Sequence, residues 1–260
     1  MKKVNLNKKW YNIPETWDEL TCRQLVQVLR ICNLGHTLLV AQVQLFKILT
    51  GIRWFILWWN GPMEIEDKLY LVDWVFEENT ITKNLLPIYR GRYGPADNFS
   101  NLQVCEFIFT EQYYQQYKEE GGVQHLNTLI AILYRPLKKG YNKLRNEEGD
   151  MREPYNDNLT ALYVRSVARW PVAIKEAILF WYEGCRTSLV KNNPDVFGGA
   201  GGDPAKYGLW SVMRGVAEKA IHGNINDVER MYVHVFMMEL NELVAEADRI
   251  KAAYKNTGNG

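Results

Sequence analysis

Residues 171–189 constrain the fold more than any other stretch of the chain. Their apolar side chains recur at helical spacing with polar residues between them, which predicts a long amphipathic helix. Pro171 suits the first turn, where a backbone N–H has no helical partner. Leu179 and Phe180 widen the apolar stripe, so we expect other helices to cover both flanks, with Lys175 on the polar side. The predicted inward residues are Ile174, Ile178, Trp181, Tyr182, Cys185 and Leu189.

The N-terminal region shows the first of several predicted helical hairpins. Thr21 and Gln24 match a capping box, in which each residue's side chain caps the other's backbone N–H at a helix start. A second helix is predicted over residues 38–49 and ends at Gly51. Residues 1–19 are polar with scattered aromatic residues, and we expect an irregular arm there.

Two further hairpins follow the same logic. Ser100 and Gln103 match a second capping box, and the helix that they open is expected to pack against residues 126–134. Near the end, residues 210–221 predict the first arm of a terminal hairpin, and Asn226 is placed to cap the long second arm.

These patterns together predict a mainly α-helical fold of packed antiparallel hairpins. Any strand is expected in a minor pair near residues 80–95, where glycine and proline dominate. The charged, turn-rich connection at residues 137–158 suggests a division into halves 1–145 and 146–260, although a single continuous domain fits as well.

Composition excludes several classes of protein. The formal net charge is +1, which argues against a protein that coats nucleic acid or an anionic membrane with its whole surface. Residues 37–59 are apolar, but Lys47, Arg53 and Gly51 favour a buried helix pair over a membrane span. No signal peptide is evident at the start.

The four cysteines lack a C-x-x-C pair and predict small buried thiols in a reducing compartment.

No arrangement of residues matches a known catalytic or metal site. The glycine run at residues 198–202 lacks the lysine and the preceding strand of a phosphate-binding loop, so a surface loop is favoured. Cys32 and His36 are spaced to share a helix face, but two ligands without a second pair do not make a metal site. The sequence therefore predicts no catalytic residue, no metal, no cofactor and no small-molecule substrate.

A basic segment offers the best candidate for nucleic-acid contact. Its cations could neutralise phosphates, and the interleaved Tyr134 and Tyr141 could stack on bases. The acidic residues that follow at once cancel most of this charge, so a self-paired solvated loop is favoured over a binding site. The cations are Arg135, Lys138, Lys139, Lys143 and Arg145.

An apolar stripe in the last predicted helix is longer than its hairpin partner. The stripe runs from Tyr232 to Tyr254 with spacings of four and three residues, so its distal half should lack an intrachain cover. We expect that half to bind a partner protein or a second copy of the chain. The predicted contact residues are Leu243, Ala247, Ile250 and Tyr254.

An ordered set of short motifs resembles a family of uncharacterised tail-module proteins from tailed phages and prophages of Bacteroides-like bacteria. The resemblance implies a non-catalytic role, as a tail assembly chaperone or a minor tail protein, in the host cytoplasm or the virion. Its partners would be other phage tail proteins or a second copy. The alternative is a nucleic-acid-binding accessory phage protein that uses residues 135–145. The motifs are WDELT at 17–21, YGP at 93–95, ILYRP at 132–136, DMR at 150–152, WYEGCR at 181–186, DVF at 195–197 and the terminal hairpin at 210–250.

Overall fold

The computed structural model describes residues 1–6, 9–53, 65–141, 150–197, 208–218 and 223–257. The fold is mainly α-helical, as predicted, and its strands form two short antiparallel pairs in the described residues. The strands are β1 Lys2–Leu6, β2 Lys9–Ile13, β3 Ile88–Tyr89 and β4 Arg92–Tyr93. The helices are α1 Cys22–Asn33, α2 Leu38–Thr50, α3 Val104–Glu120, α4 Val123–Leu133, α5 Asp157–Val167, α6 Val172–Asn192, α7 Pro194–Phe197, α8 Leu209–Glu218, α9 Ile225–Glu229 and α10 Val233–Thr257.

The chain divides into two compact units, each built from two separate stretches. The first unit comprises Met1–Leu86 and Trp170–Cys185, and the second comprises Pro87–Arg169 and Arg186–Gly260. Helix α6 therefore contributes residues to both units. The boundary predicted between residues 145 and 146 lies outside the described residues.

The first unit opens with a β-hairpin where an irregular arm was predicted, so that prediction was wrong. Strand β1 pairs antiparallel with β2, and Val4 lies opposite Tyr11. Val4, Leu6 and Ile13 are buried while Asn5 and Asn12 are exposed, which is the alternation expected of a half-buried strand. Only a few residues alternate on each strand, and this signal was too short to distinguish a strand from a polar arm.

Helices α1 and α2 form the predicted N-terminal hairpin. The capping box is present: Gln24 N donates to Thr21 Oγ1 at 3.2 Å, and Thr21 N donates to Gln24 Oε1 at 2.9 Å. Helix α2 ends at Gly51, whose φ of 68° is a left-handed conformation that glycine adopts without steric cost. Leu25 and Phe46 are among the buried residues with which the two helices pack.

Helix α6 supplies the core of the first unit. Ile178 is 1% exposed and Trp181 is 2% exposed, which confirms that these residues point inward. Lys175 was expected on the polar side, but it is only 2% exposed, so that expectation was wrong. Lys175 is enclosed because α6 is covered on more than one side. This burial lowers the pKa of the Lys175 ammonium group.

The second unit contains the α3–α4 hairpin, which turns through Gly121 and Gly122. From Leu126 to Leu133, every residue of α4 except the half-buried Thr128 is buried, as this apolar sequence predicted. The capping box predicted for Ser100 and Gln103 is absent: Gln103 precedes α3 without a side-chain cap, and Ser100 follows a short 3-10 turn. Strands β3 and β4 form the minor pair expected near residues 80–95.

The terminal hairpin begins its second arm later than predicted. Asn224 and Asp227, rather than Asn226, make a capping box, and it opens the short helix α9. Helix α10 then starts separately, because Val104 N donates to Met231 O at 2.9 Å and Val233 N donates to Leu102 O at 2.8 Å. This bridge to the segment before α3 interrupts the helix. Among the described helices, none has both the length and the apolar composition to cross a membrane.

Candidate functional site

Two arginines and two carboxylates meet in the second unit and form what we call the ion cluster: Glu106, Arg135, Asp150 and Arg152. Arg135 Nη2 donates to Glu106 Oε1 at 2.5 Å, and Arg152 Nη2 donates to Glu106 Oε2 at 2.9 Å. Asp150 Oδ2 lies 2.7 Å from Arg152 Nη2. Glu106 is 0% exposed, and both arginines are 1% exposed. Three of the four charged side chains are therefore almost fully buried, and the side chain of Asp150 is 13% exposed.

Backbone pairing brings the cluster together from distant parts of the sequence. Glu106 lies in the first turn of α3, and Arg135 follows the end of α4. Arg152 reaches it because the chain around it runs antiparallel to the chain around Leu137. Two hydrogen bonds hold these segments, from Lys138 N to Met151 O at 2.9 Å and from Glu153 N to Pro136 O at 2.8 Å.

Backbone carbonyl oxygens accept hydrogen bonds from other N–H groups of the two guanidinium groups. Arg135 Nε donates to Glu153 O at 2.7 Å, and its Nη1 donates to Ile132 O at 2.6 Å. Arg152 Nη1 donates to Leu133 O at 2.9 Å. Such bonds compensate for removing the charges from water, which is costly without partners. The cluster thereby holds Arg135 and Arg152 against α3 and α4.

The charges of the cluster balance, since two guanidinium groups face two carboxylates. Burial alone would lower the pKa of Arg152, but Glu106 and Asp150 favour its charged form, and its pKa is raised above the ordinary value. Both oxygens of Glu106 already accept hydrogen bonds, and no part of this residue reaches solvent. A substrate has no access to such a carboxylate, so its geometry fits a structural role.

Other motif residues that carry the family resemblance also make structural contacts. Asp18 accepts hydrogen bonds from Thr82 N and Thr82 Oγ1 at 2.8 and 2.9 Å. Trp181 Nε1 donates to Thr82 O at 3.1 Å. A Cβ atom at Gly184 would lie 2.2 Å from Ile81 O, so only glycine fits there without displacement. These residues position segment 79–83 in the first unit, and none of them points to a reaction.

The described cations of the basic segment differ in exposure. Arg135, a cation of the nucleic-acid alternative, lies inside the ion cluster and is 1% exposed, so it is not placed to contact a phosphate in this structure. Lys138 and Lys139 are exposed, while Lys143 and Arg145 lie outside the described residues. Local sequence could not reveal the position of Arg135, because its carboxylate partner, Glu106, lies 29 residues earlier in the chain.

The two halves of α10 differ in their surroundings. In the proximal half, Phe236 and Leu240 are 1% and 4% exposed, and Asn241 Nδ2 donates to Asn193 Oδ1 at 2.7 Å. Every residue from 245 to 250 is exposed. Of the predicted contact residues, Leu243 is half-buried, Ala247 is exposed and Ile250 is 50% exposed, while the side chain of Tyr254 lies outside the described residues.

An open cavity of about 580 Å³ in the second unit was not foreseen from the sequence. Three rings line it: the centroid of Phe109 lies 5.4 Å from that of Tyr155 and 5.3 Å from that of Trp210. Cys105 also lines it, but burial raises the pKa of this thiol to about 12, which keeps it protonated and poorly nucleophilic. The remaining lining residues are Gln103, Pro154, Glu229 and Arg230.

The cavity residues come from α3, α8, α9 and the chain before α5, and this juxtaposition leaves no local signal in the sequence. Comparison with protein-family models, curated proteins and solved structures finds no match. A functional proposal must therefore rest on the contacts and exposures of this chain's own residues.

The cysteines and acidic residues of the described ranges do not form a metal site. Within the described ranges, no group of three or more histidine, cysteine, aspartate or glutamate side chains is arranged to hold a metal ion. All four cysteines are free thiols. The expectation that all four are buried was wrong, because Cys185 is buried whereas Cys32 is exposed near the end of α1.

Proposed function

We propose that the chain is a non-catalytic protein of a phage tail module that binds other proteins, either during tail assembly or as a minor tail component. In this role it acts in the host cytoplasm or within the virion. The observation that carries the proposal is the exposure of residues 245–250 in the distal half of α10. The resemblance of the sequence motifs to tail-module proteins supplies the biological context.

Helix α10 extends beyond the described elements that cover it. It has 25 residues and is about 38 Å long. Of the described residues, those that cover α10 do so along its proximal half, through α7 and the start of α3. Exposed apolar side chains aligned on one face of a helix are typical of a contact surface.

The nature of the buried polar groups also favours a binding role. Glu106, Arg135 and Arg152 are closed to solvent, and the motif residues around Thr82 serve packing. The nucleic-acid alternative is weakened because Arg135 is committed to Glu106. Lys138 and Lys139 remain exposed, but two cations release few counterions and read no bases.

The proposal is tested by co-expressing the tagged chain with the proteins encoded beside it and measuring which are retained. The variant Leu243→Glu/Ile250→Glu places two charges on the apolar stripe and should abolish retention. The matched control is Met238→Glu/Ala245→Glu, which adds two charges with the same spacing to the other side of α10, where both residues are exposed. Retention by the control but not by the stripe variant is the expected result.

Self-association is measured on the same proteins by sedimentation velocity. If a second copy occupies the stripe, the parent and the control sediment as a larger species than the stripe variant. Far-UV circular dichroism verifies that helicity is retained. If the stripe variant retains every partner and sediments like the parent, the exposed half of α10 is not a contact surface and the proposal fails.

A further inference from the structure

A second exposed apolar surface lies at the turn between α1 and α2. We call it the apolar tip: Leu34, Leu38, Leu39 and Val40. These residues are 53%, 61%, 55% and 43% exposed, respectively. All residues from 32 to 40 are exposed, so the tip stands clear of the surrounding residues.

The packing of the hairpin does not require these side chains. Helices α1 and α2 bury other residues farther from the turn, including Leu25 and Val28 on α1 and Leu45 and Phe46 on α2. Scattered exposed apolar residues are ordinary, but four large aliphatic side chains within seven positions form a contiguous patch. A patch of this kind is typical of a surface that binds another molecule.

The charged residues of the α1–α2 hairpin are all basic. Residues 21–53 contain Arg23, Arg30, Lys47 and Arg53 but no aspartate or glutamate, although the whole chain has nearly equal numbers of basic and acidic residues. In the 3-10 helix Leu69–Phe76, which packs on α2, Asp73 accepts a hydrogen bond from Gln42 at 2.7 Å. The hairpin itself therefore presents a basic surface.

Helix α1 aligns two of these cations with the tip. Arg23, Gln27, Arg30 and Leu34 are spaced by four, three and four residues, so they lie on one face of the helix. All four residues are exposed. This face thus offers two guanidinium groups along its length and aliphatic side chains at its end.

We propose that this face of α1 and the apolar tip bind an acidic amphipathic helix of a partner protein. The carboxylates of such a helix complement Arg23 and Arg30, and its apolar residues cover Leu38 and Leu39. The surface belongs to the first unit and shares no residue with α10, so the inference does not depend on the α10 contact.

The spacing of the charges favours a protein helix over a membrane. Arg23 and Leu34 are separated by 11 residues, or about 17 Å along the helix. Electrostatic attraction between exposed charges is largely screened beyond about 8 Å at physiological salt. A membrane in contact with the tip would gain little from Arg23, whereas a helix lying along α1 contacts both ends of this face.

The test uses the full chain and a fluorescent synthetic peptide, with binding measured by anisotropy. The peptide is an amphipathic helix of leucines and glutamates, with glutamates at the spacing of Arg23 and Arg30, and a second peptide carries lysines instead. The parent should prefer the glutamate peptide. Arg23→Glu/Arg30→Glu should weaken that binding by at least about tenfold and reverse the preference. Leu38→Ser/Leu39→Ser should weaken binding of both peptides.

The matched control is Leu162→Ser/Arg165→Glu on α5, which removes an exposed leucine and reverses an exposed arginine elsewhere. It should bind the peptides as the parent does. Vesicles of phosphatidylcholine with and without phosphatidylserine are titrated in parallel. No preference for the glutamate peptide, an unchanged preference in Arg23→Glu/Arg30→Glu, or tip-dependent binding to vesicles alone would each overturn the proposal.

Discussion

The variant Glu106→Gln is expected to be strongly destabilising. Glutamine keeps the size of the side chain but removes the charge that both arginines share, at 2.5 and 2.9 Å. The cluster then holds two buried guanidinium groups and only Asp150, so it carries one uncompensated positive charge. Breaking a buried ion pair by removing one partner costs about 3–5 kcal/mol. A protein's whole free energy of unfolding is typically about 5–15 kcal/mol, so the loss is a large fraction of it.

The assay is urea unfolding followed by far-UV circular dichroism, with Glu120→Gln as the control. Glu120 lies on the same helix, and its carboxylate contacts His125 Nε2 at 3.1 Å, but its side chain is 66% exposed. An exposed pair contributes about 0–1 kcal/mol, and this contribution falls as salt is added. The large effect of Glu106→Gln should persist in high salt. If the two variants differ by less than about 0.5 kcal/mol, the reasoning about the buried cluster is refuted.

Three further predictions concern the core, a close backbone approach and a thiol. Ile178→Ala should lower the free energy of unfolding by about 2–5 kcal/mol. Leu162→Ala, at an exposed site, should change it by about 0.5 kcal/mol or less. An unchanged urea midpoint for Ile178→Ala would contradict the burial of α6. Gly184→Ala should lower the thermal midpoint because the new Cβ would lie 2.2 Å from Ile81 O, and wild-type stability would show that this segment shifts freely. Because burial raises the pKa of the folded Cys105 thiol from 9.0 to about 12, its contribution to stability is present below pH 9 and is lost as the pH rises toward 12. Cys105→Ala should therefore show a smaller loss of stability over that pH range, and an identical loss would contradict this account.

Features set by neighbouring residues could be predicted from the sequence. The capping box of Thr21 and Gln24, the glycine end of α2 and the inward face of α6 each depend on residues within a few turns of one another. Helical periodicity and capping report such local interactions directly. The mainly α-helical fold followed from these signals.

Features set by distant residues could not be predicted in this way. Local sequence predicts that Arg135 is a surface cation, but in the fold it is buried against Glu106. Local sequence likewise predicts that Lys175 faces solvent, but the surroundings of α6 enclose it. The start of α10 depends on backbone hydrogen bonds to the chain before α3. The distal residues of α10 were predicted as a contact stripe from their local spacing, and that role stays a prediction because their partner leaves no mark in this sequence.

Hydrogen exchange along α10 tests the proposed binding role most directly. The backbone amides of residues 243–257 are measured in the isolated chain and in its complex with a co-expressed tail-module protein. An exposed helix end opens readily, and an interface along the stripe would slow its exchange. We predict strong new protection of residues 243–257 in the complex, with little change in the proximal half of α10. Unchanged exchange in the distal half of a stably formed complex would contradict the assignment of this surface.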